Sequence, residues 1–189
     1  MFVLIIFLIL AAVLLMWGVG IYNRLVAFKH RVAAAWSNID VLLKQRHDEL
    51  PKLVETCKQY MKFEQDTLER VMKARSSVYA ASAAGDIGAL NTAEGELRAG
   101  LGKLFAVAEA YPDLKANQSF QQLQSRISAL ETSIADRREL YNEAVNINNA
   151  SIEQFPASVI AGMFDFKPAK LLEFSEAERA DVDMKALFS

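Results

Sequence analysis

Any chemistry in this chain has to come from a few polar residues set on or beside otherwise apolar helical seams: Arg46, Asp48, Glu64, Arg75, Glu109, Glu131, Arg137, Arg138, Asn142 and Asn149. A lone charge inside apolar surroundings is too costly to persist, so each buried member must meet an opposite charge or a backbone carbonyl. Two roles are open to them. They form a polar layer that fixes helix register, as buried polar residues do in coiled coils, or they build a ligand or partner site centred near 46–51 and 111–117. No spacing among them composes a reaction.

Known catalytic patterns can be held against the chain directly. A di-iron bundle requires Glu-x-x-His on facing helices, yet the residues three before His30 and His47 are Ala27 and Lys44. There is no glycine-rich phosphate loop, no Gly-x-Ser-x-Gly elbow, and no Cys or His pair with zinc spacing. His30 and His47 stand too far apart along one helix to share a metal. Cys57, the single cysteine, falls on an apolar seam and reads as a small buried hydrophobe rather than a nucleophile. The expectation is a protein that is not an enzyme and has no cofactor and no metal site.

What must position these residues is announced by the first stretch of the chain. No side chain before Arg24 is charged, and Phe2 to Ile21 are almost wholly Phe, Leu, Ile, Val, Ala, Met and Trp. At about 1.5 Å per residue, a helix of roughly 20 residues spans a hydrocarbon core of about 30 Å. Residues 1–22 are therefore expected to be a transmembrane helix. A cleavable signal peptide would want a basic start, a shorter apolar core and a small-residue cleavage site. Arg24, Lys29 and Arg31 follow the span before the first acid, Asp40, so the positive-inside rule puts the N-terminus outside and the rest in the cytoplasm.

The remainder is the size of one domain. With 21 basic and 23 acidic residues interspersed along 189, the chain offers no polybasic patch, and nucleic acid is not an expected partner. Its apolar residues recur in steps of three and four. Leu25, Phe28, Val32, Ala35, Ile39 and Leu42 make one stripe, which Leu50, Leu53, Cys57, Tyr60, Leu68, Val71 and Val78 continue after a shift near Pro51. Proline removes a backbone donor and crowds the preceding turn, so a kink or break is expected there, between helices over about 24–49 and 51–83. Gly85 can close the second helix and Asp86 can cap the next, over 87–110, with Leu90, Leu97, Leu101 and Leu104 inward.

Tyr111-Pro112-Asp113-Leu114 interrupts the pattern, and Asn117 can cap a long helix over 117–154 that carries Phe120, Ile127, Ile134, Tyr141, Val145 and Ile152 on one face. Phe155-Pro156 closes it. The fold class expected is all-α: a transmembrane helix, then a long antiparallel four-helix bundle over 23–156. The segment 157–189 is too apolar for a solvated tail. It either folds back onto the bundle or lodges at the lipid interface or in a neighbouring subunit. Ser175-Glu176-Ala177-Glu178 matches a capping box and should start a short last helix.

A set of motifs runs the length of the chain in order: Tyr22-Asn23, Ala35-Trp36-Ser37-Asn38-Ile39-Asp40, Lys44-Gln45-Arg46-His47-Asp48-Glu49-Leu50-Pro51-Lys52-Leu53-Val54, Ala74-Arg75, Tyr111-Pro112-Asp113-Leu114-Lys115-Ala116-Asn117, Arg137-Arg138-Glu139-Leu140-Tyr141-Asn142 and Phe155-Pro156. Together they resemble the LemA family of bacterial proteins, from which His47 and Glu49 are mild departures. The resemblance implies an N-terminal membrane helix, a helical bundle on the cytoplasmic side of the bacterial inner membrane, and no assigned enzymatic activity.

The expected function is a non-enzymatic, single-pass scaffold that self-associates at the membrane as a homo-oligomer. Ala33-Ala34-Ala35 would let helices approach closely, and Trp17, Gly18, Gly20, Phe164 and Phe166 are the expected lipid or subunit contacts. The alternative is a membrane-anchored adaptor or sensor whose bundle binds a cytoplasmic protein or a small ligand.

Overall fold

One helix, α1, takes up Phe2–Tyr60 in the computed structural model, which describes residues 1–173. After it come α2 (Gln65–Ala84), α3 (Ile87–Ala108), the single turn α4 (Pro112–Lys115), α5 (Gln118–Glu153) and α6 (Ala157–Met163). The described residues contain no strand, and the fold is an all-α helical bundle led by a long apolar helix. The capping box at Ser175 and the terminal helix it should start lie outside the described residues.

Of the kink or break expected at Pro51, the break is not there. α1 runs through Pro51 to Tyr60, and the chain turns instead at 61–64, where the Glu64 N–H donates to the Met61 carbonyl at 3.3 Å. Proline in a helix leaves the carbonyl four residues earlier without its donor. That carbonyl belongs to His47, and it accepts a hydrogen bond of 2.8 Å from Arg75 Nε on α2. A side chain supplies what the imino acid withholds, so the helix continues.

The chain divides into two compact units, and the first comprises Met1–Val41 and Ile134–Leu171. In it α1 and α5 run antiparallel: Leu25 shares a buried cluster with Ile152, and eleven residues up α1 the Trp36 ring meets Tyr141, eleven residues down α5, at 5.8 Å. Ala161 of α6 completes the cluster, with Ile21, Ile160 and Phe166 packed against it. The apolar stretch after Phe155 thus folds back onto helices of its own unit. Side chains hold its end: Tyr141 Oη donates to the Lys170 carbonyl, and Asn149 both donates to the Ala169 carbonyl and accepts from its N–H, each at 2.9 Å.

The start of α1 is different in kind. None of the side chains in its most apolar 18-residue window is buried, so this is a candidate membrane span.

The second unit comprises Leu42–Ser133 and the chain from Leu172. Its core is a four-helix arrangement of the C-terminal part of α1, α2, α3 and the first half of α5, with Leu50, Leu53, Cys57, Val71 and Leu104 fully buried. The turn between α2 and α3 follows from two residues. Gly85 takes the left-handed conformation at φ 65°, which costs a residue without Cβ nothing, and its N–H reaches the last carbonyls of α2. Asp86 then accepts from the Ala89 N–H at 3.1 Å, capping α3. Midway along this hairpin Gly100 lets Val71 approach so closely that a Cβ at Gly100 would stand 3.3 Å from its Cγ2. Asn117 caps α5 through the Phe120 N–H at 3.0 Å and donates to Tyr60 Oη at 3.1 Å, tying the start of α5 to the end of α1.

Candidate functional site

Arg46 is the largest fully buried side chain, 1 % exposed in the second unit. It lies on the inward seam of α1, four residues before Leu50 and seven before Leu53, so a helix cannot turn it to solvent without exposing that seam. The guanidinium fork engages two acids at once: Nη2 donates to Glu94 on α3 and Nη1 to Glu131 on α5. Arg98 Nε stands 3.9 Å from the other oxygen of Glu131, giving two cations for two anions. Burial works to lower the Arg46 pKa, but the nearby carboxylates of Glu94 and Glu131 outweigh it, and the guanidinium is held above its ordinary value. The charge is permanent and matched.

One turn along, Arg75 of α2 reaches back to His47. Besides bonding the freed carbonyl, its Nη2 lies 2.6 Å from His47 Nε2, and the imidazole packs on the Tyr79 ring at 4.7 Å. Arginine can only donate, so Nε2 must accept, which makes the imidazole neutral with its proton on Nδ1. Burial, and then the Arg75 charge, hold the His47 pKa below its ordinary value, while Asp48 pulls the other way. Glu49, 6 % exposed, is held by Arg126 of α5 at 2.8 Å and Lys52 at 3.3 Å.

The remaining candidates scatter. Asp48 and Arg137 are exposed, and Glu109 pairs with Lys115 where both are open to solvent, a pairing worth little. Glu64 is half-buried at the head of α2, its carbonyl accepting from Thr67 and Leu68. Arg138 is buried and Asn142 half-buried, but both belong to the first unit, as does Asn149, which clamps Ala169. Nor do 46–51 and 111–117 share a centre, since Asn117 bonds Tyr60 at the far end of α1. Glu94 and Glu49 were missed as candidates. Glu94 follows Leu90 by four residues and precedes Leu97 by three, a seam position in every respect but its charge.

Of the expected lipid or subunit contacts, Trp17 and Gly20 are exposed, and Gly18 is half-covered with Ile160 Cδ1 at 4.0 Å from where its Cβ would stand. Phe164 and Phe166 both meet the Tyr22 ring, at 4.7 and 5.8 Å. Cys57 is fully buried and its thiol is pushed up to about 12 by that burial, so it is no nucleophile at neutral pH. Among the described residues no group of three His, Cys, Asp or Glu side chains could hold a metal ion. The arrangement is that of a buried charge cluster and a side-chain hydrogen bond to the carbonyl that Pro51 leaves free.

Comparison with known proteins bears on the same region. Protein LemA of Metamycoplasma hominis is 30 % identical over 173 residues, covering 89 % of this chain and 76 % of that protein. Magnetosome protein MamQ 2 of Paramagnetospirillum magneticum is 25 % identical over 190 residues, covering 88 % of this chain and 70 % of its own. Magnetosome protein MamQ of Magnetospirillum gryphiswaldense is 23 % identical over 169 residues, covering 77 % and 62 %. The LemA family model matches residues 35–185, a stretch that holds Arg46, Pro51, Arg75, Glu94 and Glu131. By that match and by its identity to Protein LemA, the chain belongs to the LemA family.

Proposed function

We propose that this chain is a non-enzymatic scaffold, anchored by one N-terminal span in the bacterial inner membrane with its N-terminus outside and its bundle in the cytoplasm, where copies self-associate. The observation that carries it is α1 itself: an apolar, uncharged stretch with no buried side chain continues, without a break, into the bundle. Such a surface has no place in water, and a continuous helix transmits the anchor to whatever the bundle does. The buried charges support a structural role, because Arg46, Glu94 and Glu131 are committed to one another inside the core. Relatives named for the magnetosome rather than for a reaction accord with it. Exposed Ala33 and Ala34, just past the span, offer a small-residue face for close approach of a second copy.

Light scattering on the full-length protein, purified in mild detergent and in native lipid particles, tests this. One stable high-order particle is the expected result, and a monomer in both media would end the scaffold reading.

A second reading has its own observation. In the second unit a cavity of about 590 Å³ is lined by Val54, Met61, Leu68 and Met72, with Lys58 and Lys62 among its polar members, and the next residue in the chain, Phe63, is 94 % exposed. Methionine-lined surfaces adapt to partners. An adaptor that docks a cytoplasmic protein there would be monomeric in the same experiment and would lose its partner on Phe63→Ser.

A further inference from the structure

Helix α6 carries an apolar stripe that no part of its unit covers. Val159 and Met163, four residues apart on one side of α6, are 54 and 72 % exposed, and Phe155 in the turn before the helix is 84 % exposed, while another side of α6 is packed on α1 and α5 through Ile160 and Ala161. The depth of that packing is fixed by contact. Ile160 Cδ1 lies 4.0 Å from the Cβ position of Gly18, and Phe164 meets Tyr22 at 4.7 Å. Gly18 lies six residues before Arg24, the first charge, or about 9 Å along the helix. The packed side of α6 thus stands beside the last uncharged turns of α1. No charged residue falls between Glu153 and Asp165, and both of these are exposed at the ends of the run.

We propose that α6 is a second membrane element, lying in the boundary between headgroups and acyl chains beside the span, with Val159 and Met163, and Phe155 in the turn before them, against lipid tails. This rests on the reading of α1 as a span. The occupant is lipid because Ile160 and Phe164 seat α6 against the last turns of the apolar span, at Gly18 and Tyr22, and Trp17 and Tyr22 flank that level, where aromatic residues mark the membrane–water boundary. The chain after α6 returns to water through Asp165 and Lys167, paired at 3.2 Å and both exposed. The bundle would then be held to the bilayer at two points, which restricts its swing about α1.

The test uses full-length protein in vesicles of phosphatidylethanolamine and phosphatidylglycerol, with an environment-sensitive fluorophore on Val159→Cys or Met163→Cys. Both sites are exposed, so the substitutions leave the packing intact, and the buried native Cys57 gives the unlabelled blank. Doxyl-labelled lipid and aqueous iodide serve as quenchers, with Val13→Cys in the span and Lys73→Cys on α2 as references. Doxyl lipid should quench Val159→Cys and Met163→Cys roughly as strongly as Val13→Cys, and iodide should leave them unaffected while quenching Lys73→Cys. Quenching of both α6 sites by iodide, with Val13→Cys still quenched by lipid, would overturn the proposal and leave the span in place. If Val13→Cys also answers to iodide, the span itself is refuted. Shielding of the α6 sites from both quenchers would mean that a second copy covers the stripe, which likewise overturns lipid as the occupant.

Discussion

The same helix lives under two regimes. From Phe2 to Gly20, α1 is apolar on every side and exposed on nearly all of them; from Leu43 to Cys57 it is amphipathic, and its buried face includes a charged residue, Arg46. Burial therefore does not follow hydrophobicity along α1. It follows the contrast between faces, because a helix can pack against neighbours in water only if its other side is content there. Where the contrast vanishes, the helix requires a different solvent all round. The contrast also explains how a permanent cation can be fully buried: the seam positions are filled according to geometry, and two carboxylates from other helices satisfy the intruder.

This comparison can be pressed by substitution, starting where the effect is largest. Arg46→Ala would strand Glu94 in the core and leave half-buried Glu131 with Arg98, at a cost of about 3–5 kcal/mol, read as a drop in thermal or denaturant midpoint. Replacing all three by Met and Leu should recover most of that stability. If Arg46→Ala is neutral, the cluster does not hold the core. A paired test contrasts the two stretches of α1 directly. Leu53→Ala, at a fully buried site, should cost about 2–5 kcal/mol, whereas Leu14→Ala, 63 % exposed, should change the bundle's stability by less than about 0.5 kcal/mol.

The proline clamp offers a sharper, smaller experiment. Arg75→Ala removes the donor to the His47 carbonyl and should cost about 1–3 kcal/mol. Pro51→Ala restores a backbone N–H to the same carbonyl, so the double variant should be more stable than Arg75→Ala alone; additive losses would show that the two residues are not coupled. Below this comes Asp86→Ala, which deletes the cap of α3 and should cost about 1 kcal/mol by the same midpoint measurement.

The pH dependence completes the series. His47 is held below its ordinary value first by burial and then by Arg75, so the unfolded chain takes up a proton at about pH 6.5 that the folded chain refuses until lower pH. Stability must therefore fall as the pH drops from about 7 to below 6, the direction in which the unfolded state binds more protons. His47→Gln should flatten that part of the curve, compared by melting at both ends of the range.

Much of this architecture was legible in the residues. The three-and-four recurrence that predicted Leu25, Phe28 and Ile39 on one face, and Leu50, Leu53 and Cys57 on the next, selects the side chains that are in fact buried. Gly85, Asp86 and Asn117 announced their turns and caps because those signals are local. Pro51 misled for a physical reason: the clash and lost donor are local and visible, but their remedy, Arg75, arrives from another helix. Glu94 escaped because an acid at a seam position reads as a lapse in the pattern until its partner is known. The polar candidates do not gather in one place, because α5 is long enough to give Glu131 to one unit and Arg138 to the other.

The most direct measurement is alkaline extraction of membranes carrying either the full-length chain or a chain lacking residues 2–20. The full-length protein should stay in the lipid pellet, and the shortened one should be released while keeping the bundle's cooperative melting. Release of the full-length protein, with its first residues intact by terminal sequencing, would contradict the division of α1 between lipid and protein.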